Sequence, residues 1–339
     1  MNFNYKIMFF FMMMFGTMIS ISSNNWMSMW MGLEMNLISF ISIIKQNNNP
    51  MNSESSMKYF LIQAFSSSLF LMSIMLSLNN LNMIHKMNIM NEMINLICLS
   101  SLIMKLGMAP LHFWFPEIIE GLSWISTLIL MTWQKIAPFM LISYFIKINM
   151  ILLMLIILSS MLGSIGGLNQ TSMRKILVFS SINHMSWMMS SFLINNLMWM
   201  IYFLIYSLIN MSIIMIMHFN KIFFIKQLFF MFNQKLLMKM YFFINLLSLG
   251  GLPPFLGFLS KWLIVQNMSN KYIMLNLIMI LLNLITLFFY IRIMINSMIF
   301  NNNKIMLINN LNKNNWSIIS LSFFSINLLV IIPLQFNLI

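Results

Sequence analysis

The 339 residues are 60% hydrophobic and only 7% charged, with eighteen Lys and Arg against five Glu and a net charge of +13. A soluble chain carries roughly a quarter of its residues as charged types, so the composition excludes an ordinary soluble enzyme and points to an integral membrane protein. The positive charge falls mostly in short segments between apolar runs, where it reads as topology-setting loop charge, with no nucleic-acid partner.

Apolar runs of about 15 to 25 residues separated by Asn-, Ser- and Lys-containing turns predict an all-α, polytopic membrane bundle. About eleven transmembrane helices are expected, at 7–21, 26–44, 57–78, 93–119, 122–146, 149–166, 174–193, 196–219, 238–268, 271–296 and 316–336. The opening MNFNYKIMFFFMMMFG lacks a cleavage site and the Arg- and Ser-rich composition of a transit peptide, so it reads as a retained first helix. The abundance of Met, Ile, Phe and Asn, with Ala only at 64, 109 and 137 and Arg only at 174 and 292, fits an AT-rich mitochondrial genome. A single cysteine, Cys98, excludes an internal disulfide.

The second span, in WMGLEMNLISF, carries Glu34. The fourth, LIMKLGMAPLHFWFPE, carries Lys105, a break expected at Ala109 and Pro110, and His112 just beyond it. Glu117 and Glu120 at the end of that span read as solvated. The fifth, in MTWQKIAPF, carries Lys135, and the seventh, in SSINHMSW, carries His184. The ninth, SLGGLPPFLGFLSKW, pairs Gly250 with Gly251 and Pro253 with Pro254, a run no continuous helix tolerates, and then presents Lys261. Lys6, Lys58 and Arg292 lie within reach of a boundary and read as snorkelling side chains. His85 and His218 receive no role.

A charge at the centre of a bilayer costs about 2.5 to 3.5 kcal/mol on insertion scales, so Glu34, Lys105, Lys135 and Lys261 each need an interior partner or water. Unwound backbone at membrane depth likewise persists only inside protein or beside a wet cavity. The fourth and ninth spans are five apart and cross in opposite directions, which suggests an inverted-repeat transporter with two broken helices. The chain is read as one integral membrane domain over 1–339, with repeat halves of about 26–166 and 174–336 and the first helix, 7–21, outside the repeat. Lys6, Lys45, Lys58, Arg174, Lys175, Lys221, Lys226, Lys235, Lys239, Lys304 and Lys313 fall on one side, against Lys86, Lys147 and Lys271 on the other. The N-terminus is therefore expected in the matrix, or cytoplasm, and the C-terminus in the opposite compartment.

This combination suits proton transfer. A buried ammonium group is disfavoured by desolvation and favoured by a nearby carboxylate, so withdrawing Glu34 from Lys105 would release a proton towards Lys135 through water, with Lys261 as a further relay. His112 and His184 are weaker candidates for the same path, since a lone histidine in a bundle is more often a hydrogen-bonded core residue. The sequence has no Gly-rich phosphate loop, no Cys or His cluster with metal spacing and no nucleophile beside a base. Any energy for pumping would come from a partner.

Taken together, NNWMSMWMGLEMNLISF, LIMKLGMAPLHFWFPEIIEGL, MTWQKIAPFMLISY, GSIGGLNQTSMRKILVFSSINHMSW and LSLGGLPPFLGFLSKW resemble the mitochondrially encoded NADH dehydrogenase (ubiquinone) subunit 2 family of respiratory complex I, insect versions above all. The resemblance runs from about residue 17 to about 295. It implies a proton-translocating, antiporter-like membrane-arm subunit of the mitochondrial inner membrane, with the C-terminus in the intermembrane space. Its partners would be other membrane-arm subunits and inner-membrane lipids. The implied path residues fall on Glu34, Lys105, Lys135 and Lys261. The cofactors it implies, NADH, FMN, iron–sulfur clusters and ubiquinone, would be used in other subunits, with none in this chain. Two alternatives stand beside it: an independent cation/proton antiporter, and a structural scaffold whose buried ion pairs are inert.

Overall fold

Long runs of Met, Ile, Leu and Phe without interior glycine or proline satisfy their own backbone groups as helices, the solution open to a single segment in hydrocarbon. The computed structural model describes residues 2–45, 49–80, 87–145, 150–232 and 236–299. The expected eleventh span, 316–336, lies outside these residues, as do His85, Lys86, Lys147, Lys235, Lys304 and Lys313. Among the described residues the secondary structure is helical apart from one isolated bridge between Ser172 and Phe224. Among the described residues six helical segments, Trp124–Phe145 counted as one, are long and apolar enough to cross a membrane. The protein is a multi-pass, all-helical membrane protein.

The chain forms two compact units, one ending at Leu152 and one beginning at Leu153. The first contains α1 (Asn2–Ser22), α2 (Trp26–Ile44), α3 (Pro50–Asn80), α4 (Met87–Leu106), α5 (Trp114–Gly121), α6 (Trp124–Met131) and α7 (Trp133–Phe145). Helix α3 packs against α2, α4 and α5, and α4 packs against α7. Helices α1 and α2 meet backbone to backbone. A Cβ added at Gly32 would lie 2.6 Å from the Ser20 nitrogen and 2.7 Å from the Gly16 oxygen, so this small residue fixes the height and rotation of the helix that carries Glu34.

The second unit holds nearly all of α8 (Met150–Gly166), then α9 (Met173–Ser191), α10 (Met198–Asn220), the short α11 (Ile225–Phe232), α12 (Leu236–Gly250), α13 (Leu256–Met268) and α14 (Ile273–Ile299). Helix α9 is central: every residue from 176 to 193 is buried. Its serines create no orphan donors, because Ser180, Ser181, Ser186, Ser190 and Ser191 each donate to the carbonyl three residues back. Outward faces carry large apolar side chains such as Phe15, Phe65, Met154, Leu204, Met274 and Phe288, all exposed.

Three expected spans each hold two helices. In the fourth, the helix stops at Leu106, earlier than Ala109 and Pro110 suggested, because Gly107 takes the left-handed conformation at φ 70°. The Gly107 amide donates to Met104 O at 3.2 Å and the Met108 amide to Ile103 O at 3.2 Å, the paired bonds of a Schellman end. The ninth repeats this pattern. Gly251 has φ 83°, its amide donates to Ser248 O at 3.1 Å, and the Leu252 amide donates to Leu247 O at 3.3 Å. The fifth turns at Thr132 between α6 and α7 and remains one apolar span, Trp124–Phe145. Pro138, inside α7, cannot donate to the Gln134 carbonyl and crowds it, so the turn before Gln134 is the weak point.

Candidate functional site

Five helices and the α6 end of the interrupted pair converge on one polar cavity in the first unit. It measures about 20 Å³ and is lined by polar groups of Asn36 on α2, Tyr59 and Gln63 on α3, Lys105 at the end of α4, and Gln134 and Lys135 at the start of α7. Trp114 from α5 and Leu130 from α6 complete the wall. A volume of roughly 10–15 Å³ admits one water molecule, so the space suits a single bridging water between groups that can bond it.

The two lysines reach this cavity by different local devices. Lys105 sits in the last turn of α4, where backbone dipoles attract positive charge. Its own carbonyl accepts a hydrogen bond from Gln63 Nε2 at 3.2 Å, and the Met104 carbonyl accepts one from Trp114 Nε1 at 3.1 Å. Neutral side chains thus occupy the carbonyls at the helix end, and the ammonium group is not needed there. Lys135 follows the interruption at Thr132, and its Nζ lies over the Phe115 ring, 5.5 Å from the centroid. Beside it, Gln134 Nε2 donates to Asn36 Oδ1 at 2.9 Å, tying α7 to α2. Lys105 is 8% exposed and Lys135 2%, so neither reaches bulk solvent.

Glu34 is half-buried on α2, one residue after the cavity-lining Leu33. Its carboxylate acts electrostatically on Lys105. The two do not form a direct ion pair: the ion pairs among the described residues join Lys58 to Glu54 and to Glu117, each at 3.1 Å. Glu117, expected to be solvated, is largely exposed and makes its ion pair from α5 to Lys58 on α3 at the surface. His112 is buried in the segment between α4 and α5, with Nδ1 3.4 Å from Pro110 O and its ring tilted on Phe113. It is absent from the cavity wall.

In the second unit, His184 Nδ1 lies 2.8 Å from the Tyr202 hydroxyl, and its ring packs 5.1 Å from that of Tyr206. Lys261, 5% exposed on α13, has a different environment from the other two lysines. Its Nζ donates to Leu249 O at 3.0 Å, Gly250 O at 3.0 Å and Asn283 Oδ1 at 2.6 Å. The ammonium group caps the buried carbonyls left at the end of α12. Among the described residues, no three His, Cys, Asp or Glu side chains gather in a metal-binding group.

Tyr59, Gln63, Gln134 and Asn36 around the cavity, Tyr202 beside His184 and Asn283 beside Lys261 were not singled out from the sequence. The readable signal was their polarity inside apolar runs, as in FLIQAF and LLNLITLF.

The chain belongs to the family described as "NADH:quinone oxidoreductase/Mrp antiporter, TM", whose model matches residues 23–287. It is 49% identical over 337 residues to NADH-ubiquinone oxidoreductase chain 2 of Anopheles gambiae, covering 96% of each chain. Against the protein of the same name from Lemur catta it is 40% identical, covering 85% of this chain and 84% of the other. Among solved structures, a chain of respiratory complex I from Thermus thermophilus with bound Aureothin superposes with a TM-score of 0.82 at 20% identity, over 94% of this chain and 76% of that one. A chain of the Mrp complex from Dietzia sp. gives 0.72 at 13% identity, over 83% and 58%.

Proposed function

We infer that this chain is an antiporter-like, proton-translocating membrane-arm subunit of an NADH:ubiquinone oxidoreductase in the mitochondrial inner membrane. The observation that carries the reading is the cavity shared by Lys105 and Lys135, in a chain of this family. Two ammonium groups facing one small cavity repel each other, so a single proton is better accommodated than two. Glu34 supplies the compensating charge. Its approach stabilises the proton on Lys105; its withdrawal lets the proton pass through one water to Lys135. Electron transfer from NADH to ubiquinone would take place in other subunits, with NADH, FMN, iron–sulfur clusters and ubiquinone bound there, and would supply the displacement.

Lys261 belongs to the same chemistry in the second half of the chain, and His184 with Tyr202 offers a secondary pair of exchangeable protons. His112 has the weakest support, because it lies outside the cavity wall. The finer architecture is part of the proposal: eleven spans, broken helices in the fourth and ninth, and inverted-repeat halves of about 26–166 and 174–336 with the first helix outside. The same Schellman hydrogen bonds at Gly107 and at Gly251 support that repeat. The excess of lysine in the loops after even-numbered spans supports an N-terminus in the matrix and a C-terminus in the intermembrane space. Partners would be neighbouring membrane-arm subunits and inner-membrane lipids.

The deciding experiment is Lys105→Met in the assembled complex, reconstituted in sealed vesicles. NADH-driven proton transport should fall by about a hundredfold, the lower end of what a positioned proton-transfer group contributes, with the amount of assembled complex unchanged. Unaltered transport would sink the proposal, and loss of assembly in parallel with activity would favour an inert scaffold. Migration of the chain outside any large NADH-oxidising assembly would favour an independent exchanger.

A further inference from the structure

An ammonium group has three donors, and on Lys261 all three are engaged: Leu249 O, Gly250 O and Asn283 Oδ1, at 3.0, 3.0 and 2.6 Å. The Asn283 contact is the shortest. Asn283, on α14, is itself anchored, because its Nδ2 donates to Gly250 O at 3.2 Å. Lys261, Asn283 and Gly250 therefore close a ring of hydrogen bonds, and Thr286 Oγ1, which donates to the Asn283 backbone carbonyl at 2.8 Å, also lies 3.3 Å from the ring's Asn283 Oδ1. Gly251 leaves room for the lysine stem: a Cβ there would lie 2.9 Å from Lys261 Cδ.

The acceptors around Lys261 are carbonyl and amide oxygens, which bind a hydrogen bond but do not take up a proton near neutral pH. In this arrangement Lys261 can neither hand its proton to a base nor collect one. A proton can pass only after the ammonium group swings off the end of α12, and the side chain that both grips the ammonium and is pinned to the same helix end is Asn283. We propose that Asn283 is a positioning residue for Lys261: a latch on α14 that sets how often the ammonium group leaves the carbonyls of Leu249 and Gly250. The inference rests on the reading of Lys261 as a proton-path residue.

Two substitutions at this position should act in opposite directions, which a packing role would not produce. Asn283→Asp gives up the Nδ2 bond to Gly250 O but faces the ammonium with a carboxylate that this adjacent charge keeps ionised, and a charge-assisted bond is about twice as strong as a neutral one. In vesicles containing the assembled complex, NADH oxidation coupled to proton transport should slow by about tenfold, with protons moved per NADH unchanged. Asn283→Leu keeps the volume and removes the acceptor. NADH oxidation should then stay near wild type while an imposed proton gradient decays several-fold faster through the complex. If the leucine variant fails to assemble, Asn283→Ser, which shortens the side chain and lengthens the contact, supplies the loosened arm. Both variants slowing oxidation alike, or both behaving as wild type, would overturn the inference. Lys261→Met separates the two layers. Wild-type coupling in that variant removes Lys261 from the path altogether, whereas impaired coupling alongside silent Asn283 variants overturns the latch alone.

Discussion

Two helix ends in this protein are built on one plan and finished differently. At α4 and at α12 a left-handed glycine, Gly107 or Gly251, closes the helix with the same pair of backbone bonds. Aligned on those glycines, the carbonyl of Lys105 corresponds to that of Leu249. In the first unit, that carbonyl is satisfied by a neutral amide from a neighbouring helix, Gln63. In the second it is satisfied by the ammonium group of Lys261. A helix end with a neutral cap leaves its nearby lysine available to a cavity; one capped by the lysine itself keeps that proton occupied. The same pairing of cation with backbone oxygen recurs in the second unit, where Lys239 Nζ donates to Ser297 O at 2.7 Å and Arg292 Nη2 to Leu168 O at 2.6 Å. What distinguishes the regions is which group serves as the cap, more than where the lysines stand in the sequence.

The largest effect expected from breaking this contrast comes from Gln63→Leu. Leaving a buried acceptor unsatisfied costs about 1–3 kcal/mol, and a lysine in the last turn can bond the final carbonyls itself. Lys105 should turn back onto its helix end, making the first unit resemble the second. Proton transport should fall by about tenfold, since 1.36 kcal/mol corresponds to a factor of ten. Gln63→Asn or Gln63→His, which retain a donor, should recover part of it. A Gln63→Leu complex with wild-type transport would show that the cap does not govern the lysine.

A smaller effect is expected from Gly251→Ala. A Cβ in the left-handed region costs roughly 1–2 kcal/mol, and here it would also press on the Lys261 stem at 2.9 Å. Gly107→Ala carries similar backbone strain, but the nearest atoms are the Phe115 and Trp114 side chains at 3.1 Å, which stand beside Lys135 and in the cavity wall and are not part of a lysine stem. Both variants should melt at lower temperature than wild type, and Gly251→Ala, which presses directly on a lysine stem, should alter proton leak through the complex more than Gly107→Ala does. Equal leak from the two would erase the distinction.

The sequence made the helices legible because apolar length is a strong signal, and it made Lys105, Lys135 and Lys261 legible because a charge within an apolar run is conspicuous. The breaks were harder to place. Proline drew attention to residues 109–110, but glycine ended the helix at 106, since a left-handed cap satisfies carbonyls that proline cannot. The turn at Thr132 leaves the expected fifth span a single crossing, Trp124–Phe145, and it carries no glycine or proline of its own, Pro138 lying more than one turn further along inside α7. Nor could spacing reveal that Lys261 is capped by its surroundings while Lys105 is not. That depends on Gln63 and Asn283, 42 and 22 residues away in the chain, and long-range hydrogen bonds leave no periodic trace.

The smallest effect should come from the cation that sequence reading had set aside. Lys58 bonds Glu54 within α3 and Glu117 on α5, and all three side chains are substantially exposed. Exposed ion pairs are screened by water and salt, so Lys58→Met should leave proton transport near wild type and lower thermal stability slightly at low ionic strength, with the difference vanishing as salt is raised. The comparison with Lys105 is what gives this null value: both lysines belong to helices that pack against one another, and they differ in burial and in the cavity that only Lys105 lines. If neutralising Lys58 impaired transport as severely as neutralising Lys105, burial beside the cavity would not be what selects the working lysines, and the contrast between the two helix ends would lose its physical basis.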